Sequence, residues 1–262
     1  MFRFDSIVHA TPSGRWFNTN YDASESRLLK EMDRAGVARA VFVGLLPEND
    51  NDYVLEFCQK HQDRFIPCVC FNPALYPDAE TTRAEFIRTL GQFDFLALKL
   101  HPRMHGYNPL DFRCLAVLDE ISKRTEKVPV FLDSLFYGPK VDLEKHPIDI
   151  ARSLAISFNE LDFVLLHGCG LDMLRLAEAV RPLPNVLVDM SYSFMRYRMT
   201  SLWQDLKYLL LNFDRRLVFG SDFPEWSIPA AYDMFEKLVK NVCEDKIINV
   251  SGKNLSRLFK LE

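Results

Sequence analysis

Histidine, aspartate, lysine and arginine recur at one kind of place in this 262-residue chain, directly after a short apolar run. His9 follows the first run, and Lys99-Leu100-His101-Pro102-Arg103 ends the fourth. Asp133-Ser134 ends the fifth, His167-Gly168-Cys169-Gly170 the sixth and Asp189-Met190-Ser191 the seventh. The eighth ends in Gly220-Ser221-Asp222-Phe223-Pro224-Glu225. Neutral imidazoles and carboxylates ligate divalent transition metals, and they are also the acids and bases of proton transfer. Lys99 and Arg103 add cations suited to an acidic group, the guanidinium in bidentate fashion. Each of these residues alone can be a satisfied polar strand end. His9, His101, Asp133, His167 and Asp222 together point to a site. Of the three other histidines, His61, His105 and His146, the first and last lie in polar contexts and read as solvated surface residues.

Several further side chains have both a functional and a structural reading. Trp16, Tyr107, Tyr137, Tyr192 and Trp226 fall in the segments after strand ends, where they could wall a ligand or close a small apolar cluster. Arg196 and Arg198 are candidates for anion binding or for a solvated loop. Lys99 and Arg103 could pair with Asp133 or Glu225 rather than with a substrate. Cys169 beside His167 suggests a thiol nucleophile, but neighbouring residues at a strand end point in different directions. None of the six cysteines forms a C-x-x-C pair, which excludes zinc-ribbon and dithiol redox motifs.

Eight elements must hold these side chains. The apolar runs are 2–7, 40–43, 65–70, 95–100, 128–132, 163–166, 186–188 and 217–219. Continuous apolarity over so few residues suits parallel strands buried on both faces. Helical patterns alternate with them over 52–61, 78–90, 110–123, 147–158, 171–180, 201–211 and 230–242. Asp22-Ala23-Ser24-Glu25 reads as a capping box before a helix that Gly36 stops, and a helix pair over 245–260 closes the chain. Eight β/α units predict a (β/α)₈ TIM barrel, one domain over 1–262 with C-terminal helices. An open doubly wound sheet would carry a glycine-rich phosphate turn after its first strand, and none is present. In a barrel, the polar strand ends meet at one mouth.

Composition narrows the class of function. Hydrophobic residues at 48% and a net charge of −4 suit a globular protein and give no electrostatic footprint for wrapping nucleic acid. No apolar stretch reaches the length of a membrane span. Asp5 interrupts the N-terminus before a signal-peptide core develops, so a cytoplasmic location is expected. The expected partner is a small, acidic substrate, with neither nucleic acid nor membrane, and helical barrel exteriors are compatible with a homodimer.

Four segments resemble the amidohydrolase superfamily, and more narrowly its amino-carboxymuconate-semialdehyde decarboxylase-like branch. They are Leu98-Lys99-Leu100-His101-Pro102, Leu166-His167-Gly168-Cys169-Gly170, Val186 to Ser191, and Leu217 to Pro224. The tail Gly252-Lys253-Asn254-Leu255-Ser256-Arg257-Leu258-Phe259 is similar to the G-x-N-x-x-R-L-F ending of that branch. The resemblance implies a metal pattern of D-x-H-x-H on strand one, histidines ending strands five and six, and an aspartate after strand eight. Here Ile7 stands at the first histidine position and Asp133 at that of strand five, while His9, His167 and Asp222 match.

Two readings follow from the resemblance. In one, His9, Asp133, His167 and Asp222 hold one divalent metal, zinc or manganese. In the other no metal is held, as in metal-independent lactonases. The expected function is a small-molecule hydrolase acting by water attack on a lactone, ester or amide. Asp222 would be the base, His167 and His101 would stabilise the oxyanion, and Lys99, Arg103 and Trp226 would bind substrate. The alternatives are a metal-assisted non-oxidative decarboxylase and a non-catalytic ligand-binding barrel.

Overall fold

The computed structural model describes residues 2–135, 143 and 145–261. Eight parallel strands run in chain order: β1 (Phe4–Val8), β2 (Arg39–Val43), β3 (Phe65–Cys70), β4 (Ala97–Leu100), β5 (Val130–Asp133), β6 (Phe163–Leu166), β7 (Val186–Asp189) and β8 (Leu217–Val218). The seam between β8 and β1 is closed by backbone bonds. Ser6 N–H donates to Phe219 O at 3.0 Å, His9 N–H to Phe223 O at 2.9 Å and Asp222 N–H to Ile7 O at 3.2 Å. The expected (β/α)₈ TIM barrel is the architecture observed.

Helices follow the strands, most of them outside the barrel: α1 (Glu25–Ala35), α2 (Asn51–Lys60), α3 (Ala79–Gln92), α4 (Pro102–His105), α5 (Phe112–Ser122) and α6 (Pro147–Ser157). They continue with α7 (Met173–Val180), α8 (Ser193–Arg196), α9 (Leu202–Asn212), α10 (Ile228–Leu238), α11 (Glu244–Ile248) and α12 (Asn254–Leu258). Local chemistry sets their starts. Asp50, Asp78 and Asp111 each accept a backbone N–H from the first turn that follows. At α1 the cap is Ser24, which accepts from Arg27 N, while Asp22 accepts from Ser24 N one step earlier. The expected cap is therefore shifted by two residues. Gly36 ends α1 at φ 63°, a left-handed position that glycine takes without a Cβ clash. The expected closing pair is α11 and α12, joined by a π turn over Asn249–Lys253.

Strand alternation sorts side chains between two cores. Val41, Val43, Ile66, Cys68, Ala97, Phe131, Val164, Leu166 and Val218 fill the barrel interior. Leu98, Leu100, Val130, Leu132, Leu165 and Val188 face the helices. Lys99, Asp133 and Asp189 share the inward parity of Ala97, Phe131 and Leu187, so they top the interior at its C-terminal end. The bottom is stoppered by the tail: Leu255 is fully buried in the interior cluster, and Phe259 stacks on Phe4 and Phe131 at 6.1 and 6.3 Å. Asn254 ties the plug down by donating to Asp214 O and Leu217 O at 2.6 and 2.8 Å. Gly220 is required at the seam, because a Cβ there would overlap Ser6 Oγ and press on Ile7.

Candidate active site at the barrel mouth

A cavity of about 350 Å³ opens at the C-terminal mouth, lined by His9, Trp16, Lys99, His101, Arg103 and Asp222, with Tyr192 and Glu225 at its edge. The strand ends turn sharply to present these groups. His167 and Asp222 sit at φ 62° and 58°, and Tyr192 at 56°. Left-handed backbone costs a non-glycine residue about 1–3 kcal/mol, and such strain collects at functional sites.

Hydrogen bonds fix the tautomers. His9 Nδ1–H donates to Val43 O at 2.7 Å, so its Nε2 lone pair faces the cavity, 3.9 Å from Asp222 Oδ1. Trp16 stacks on His9 with ring centroids 5.0 Å apart, and its Nε1–H donates to Glu225 at 2.8 Å. His167 is held from behind by a relay. Both oxygens of Asp189 accept backbone N–H groups, from Ser191 and His167, and Oδ1 also accepts from Ser6 Oγ at 2.6 Å. The Ser191 hydroxyl therefore donates to Asp189 and accepts from His167 Nδ1–H at 3.0 Å. The Nε2 lone pair of His167 then points at Asp133 Oδ2, 3.6 Å away. His101 is the reverse case. Its Nδ1 accepts from Met104 N at 3.4 Å, which leaves Nε2–H directed at Asp133 Oδ2, at 3.5 Å. Arg103 grips the same carboxylate through Nε and an Nη at 3.3 and 3.4 Å.

Burial and neighbouring charges set the ionisation. Burial, reinforced by the Lys99 charge, holds His9 down to about 3, and burial does the same for His167, against the pull of Asp133. His101 lies well below its ordinary value for the same leading reason. All three rings are therefore neutral at neutral pH. Burial alone would raise Asp133, but surrounding positive charge outweighs it and holds the carboxyl low. With the imidazoles neutral, Arg103 and Lys99 carry that effect. Asp222 goes the other way: burial first, then the Glu225 charge, push it well above the usual carboxylate range. Beneath the mouth, burial raises Asp5 to about 7. Its Oδ1 accepts from Ser221 N and Ile7 N, so it serves the seam rather than the cavity.

The structure gathers His9, Lys99, His101, Arg103, Asp133, His167 and Asp222 at one mouth, and Trp16 and Tyr192 with them. Other expected residues lie elsewhere. Trp226 packs against the helix-facing core, so the indole beside the end of β1 is Trp16. Tyr107 lines a smaller apolar cavity behind Arg103 and Asp133. Arg196 and Arg198 are exposed, with Arg198 donating to Met195 O. Tyr137 lies outside the described residues. Cys169 is fully buried, and burial pushes its thiol up to about 12, the wrong direction for a nucleophile. His61 and His146 are half-buried and paired with Glu25 and Asp172 at 3.0 and 3.4 Å, rather than solvated. Sequence reasoning assigned no role to the Asp189–Ser191 relay and took Glu225 only as a partner for Lys99 or Arg103, whereas it accepts from Trp16 Nε1–H. The polar ending of the seventh run was the available signal for the relay.

Histidines and carboxylates at the C-terminal mouth of a (β/α)₈ barrel define a recognisable class of protein. A model of the amidohydrolase family matches residues 6–246, and the chain belongs to that family. No curated protein matches it in sequence. Among solved structures it is similar to a putative 2-pyrone-4,6-dicarboxylic acid hydrolase from Pseudomonas putida, at 20% identity, covering 100% of this chain and 98% of that one, with a TM-score of 0.72. A 2,6-dihydroxybenzoate decarboxylase from Rhizobium is 18% identical, with 99% of each chain covered and a TM-score of 0.71. A 5-carboxyvanillate decarboxylase from Novosphingobium aromaticivorans, complexed with manganese, is 14% identical, with 99% and 96% covered and a TM-score of 0.68. At these identities the likeness is one of fold.

The manganese in the last of these sets a test for the mouth of this barrel. Among the described residues, no three His, Cys, Asp or Glu side chains form a group that could hold a metal ion. The four residues expected as ligands divide into two pairs, His9 with Asp222 and His167 with Asp133, the latter already engaged by Arg103. Ile7 offers no donor and is buried in the interior apolar cluster. The metal set expected from the sequence does not fit as one site.

Proposed function

We propose that this chain hydrolyses a lactone, ester or amide bond in a small acidic molecule. The observation that carries this reading is the His9–Asp222 pair. Two acceptors, the Nε2 lone pair and Oδ1, stand 3.9 Å apart at the cavity. A water molecule carries two donors and can bridge acceptors at that separation. Asp222, raised in basicity by burial and Glu225, takes a proton from this water as it attacks. His101 lines the cavity, and its Nε2–H, which faces Asp133 Oδ2 at 3.5 Å at rest, is shared with the developing oxyanion during attack. His167 presents a lone pair there, so it cannot donate in its resting tautomer. It serves as an acceptor held in place by Ser191. Arg103 at the rim, 29% exposed in its side chain, is the first cation an incoming acid meets, with Lys99 deeper.

The test is a panel of small carboxylated lactones, esters and amides, assayed in ¹⁸O-labelled water. Hydrolysis places one label in the product acid. Release of CO₂ with no label in the product would replace this reading with the decarboxylase. Binding without turnover across the panel would leave a ligand-binding barrel.

A further inference from the structure

The charged groups lining the mouth are sorted by side. Lys99 and Arg103 belong to the end of β4, and Asp222 and Glu225 to the segment after β8. In a closed barrel of eight strands in chain order, β4 and β8 stand on opposite sides. Asp133, at the end of β5, is held by Arg103 at 3.3 Å and so belongs to the cationic side. Across the mouth the balance differs. Asp222 faces a neutral His9 at 3.9 Å, and among the described residues no lysine or arginine ion-pairs with Asp222 or Glu225. Aromatic rings gather on this acidic side. Trp16 and Phe17 follow β1 and Tyr192 follows β7, the two neighbours of β8, and all three line the cavity with Glu225. Trp16 Nε1–H donates to Glu225 Oε1 at 2.8 Å, and Phe17 packs edge-on to the indole at 4.8 Å. Phe17 and Tyr192 both hold left-handed backbone, at φ 48° and 56°, a strain that collects at ligand sites.

We infer that the small acid taken by this mouth is a zwitterion, with its carboxylate on Arg103 and an ammonium at Glu225 among Trp16, Phe17 and Tyr192. The inference rests on the proposed reading of the site and names its substrate class: an ester, amide or lactone that carries a free carboxylate and a free ammonium. A carboxylate with no cationic partner is the counterion an ammonium needs, and aromatic faces attract the same charge. A guanidinium has five N–H donors, and Asp133 engages two of those of Arg103, so that contact does not exhaust it. Asp222 is nearly closed off, at 6% exposure, while Glu225 is half-buried at the cavity edge. The ammonium therefore meets Glu225 and leaves Asp222 to the water. A second carboxylate in place of the ammonium would face Asp222 and Glu225, two groups of its own charge. The arrangement thus selects against dicarboxylic acids as well as for amino acids.

The experiment measures binding, with probes that have no bond to hydrolyse. 4-Aminobutyrate, 5-aminopentanoate and 6-aminohexanoate reach across the mouth to different lengths. Each is compared with the alkanoate that carries a methyl group in place of the ammonium, and with the dicarboxylate of similar length. Dissociation constants are read at pH 7 from the indole N–H resonances of the protein. At the best-fitting length the aminoalkanoate is expected to bind at least about tenfold more tightly than the alkanoate, with the dicarboxylate weakest. Glu225→Gln removes the charge and keeps an oxygen for the Trp16 N–H. It should cut the ammonium preference to under about threefold and leave alkanoate binding within about twofold of the wild type. An alkanoate or dicarboxylate that binds as tightly as the aminoalkanoate overturns the inference. So does a folded Glu225→Gln with the preference intact, or no binding by any probe. Should that variant fail to fold, the wild-type comparison decides. The two readings fail separately. An ammonium preference with no hydrolysis across the ¹⁸O panel removes the hydrolase and keeps the zwitterion, and hydrolysis with no ammonium preference does the reverse.

Discussion

Asp133→Asn removes one charge from the centre of the mouth with almost no change of shape. Asp133 has no exposed side-chain surface, and Arg103, His101 and His167 all lie within 3.6 Å of its carboxylate. At 3.3 Å and an effective dielectric constant of about 20, the gross attraction to Arg103 alone is about 5 kcal/mol. Arg103 is 29% exposed and recovers much of that from water, whereas Lys99, at 1%, cannot. Removing one partner of a buried pair costs about 3–5 kcal/mol. Discounting the Arg103 share puts the expected loss near the bottom of that range, about 3 kcal/mol. The assay is urea unfolding at pH 7, read as a shift of midpoint at unchanged slope. The pH dependence has a definite sign. The folded-state pKa of Asp133 is depressed, so its contribution is full above the unfolded value of about 3.9 and is lost as pH falls towards the lower folded one. The gap between wild type and variant should be flat from pH 7 to about 5 and should narrow below about 4. A loss under about 1 kcal/mol at pH 7 would refute the buried-charge account.

Other perturbations test separate parts of the structure. Leu255→Ala opens the plug beneath the barrel at a fully buried position, and a loss of about 2–5 kcal/mol is expected in the same unfolding assay. A loss below about 1 kcal/mol would mean the tail does not seal the interior. Cys169→Ala should keep turnover within about threefold of the wild type, because the buried thiol is held protonated. Abolished turnover in a folded variant would restore the thiol as a nucleophile. Ser191→Ala cuts the relay behind His167, and ¹⁵N-histidine spectra should show that ring redistributing between tautomers. An unchanged Nδ1–H form would mean the relay does not set it.

Much of this was legible in the sequence, for a reason particular to barrels. Strands buried on both faces read as unbroken apolar runs, and all eight runs became strands within two or three residues of the expected bounds. The polar residue closing each run then lands at the mouth by topology alone. Legibility stopped where side-chain direction depends on the partner of a second atom. Both His101 and His167 end strands, yet one presents a donor and the other a lone pair. The difference lies in Met104 N and Ser191 Oγ. The ligand set failed in the same way. One of the two readings drawn from the resemblance put His9, Asp133, His167 and Asp222 on a single metal, but they stand as two pairs and Arg103 engages one of them. Trp226 was the indole expected at the substrate, but it packs against the helix-facing core, and Trp16 lines the mouth instead. The short helices α4 and α8 gave no periodic signal, being only four residues each.

The central claim is that Asp222 takes the proton of the attacking water, and the pH–rate profile of the wild type beside Asp222→Asn tests it most directly. Because burial and Glu225 raise Asp222, the wild-type rate should fall on the acid side at a pH above the usual carboxylate range. Asp222→Asn should lose about 10²–10⁴-fold in kcat, and the acid limb with it. A folded Asp222→Asn that keeps the wild-type rate and the same limb would contradict the account.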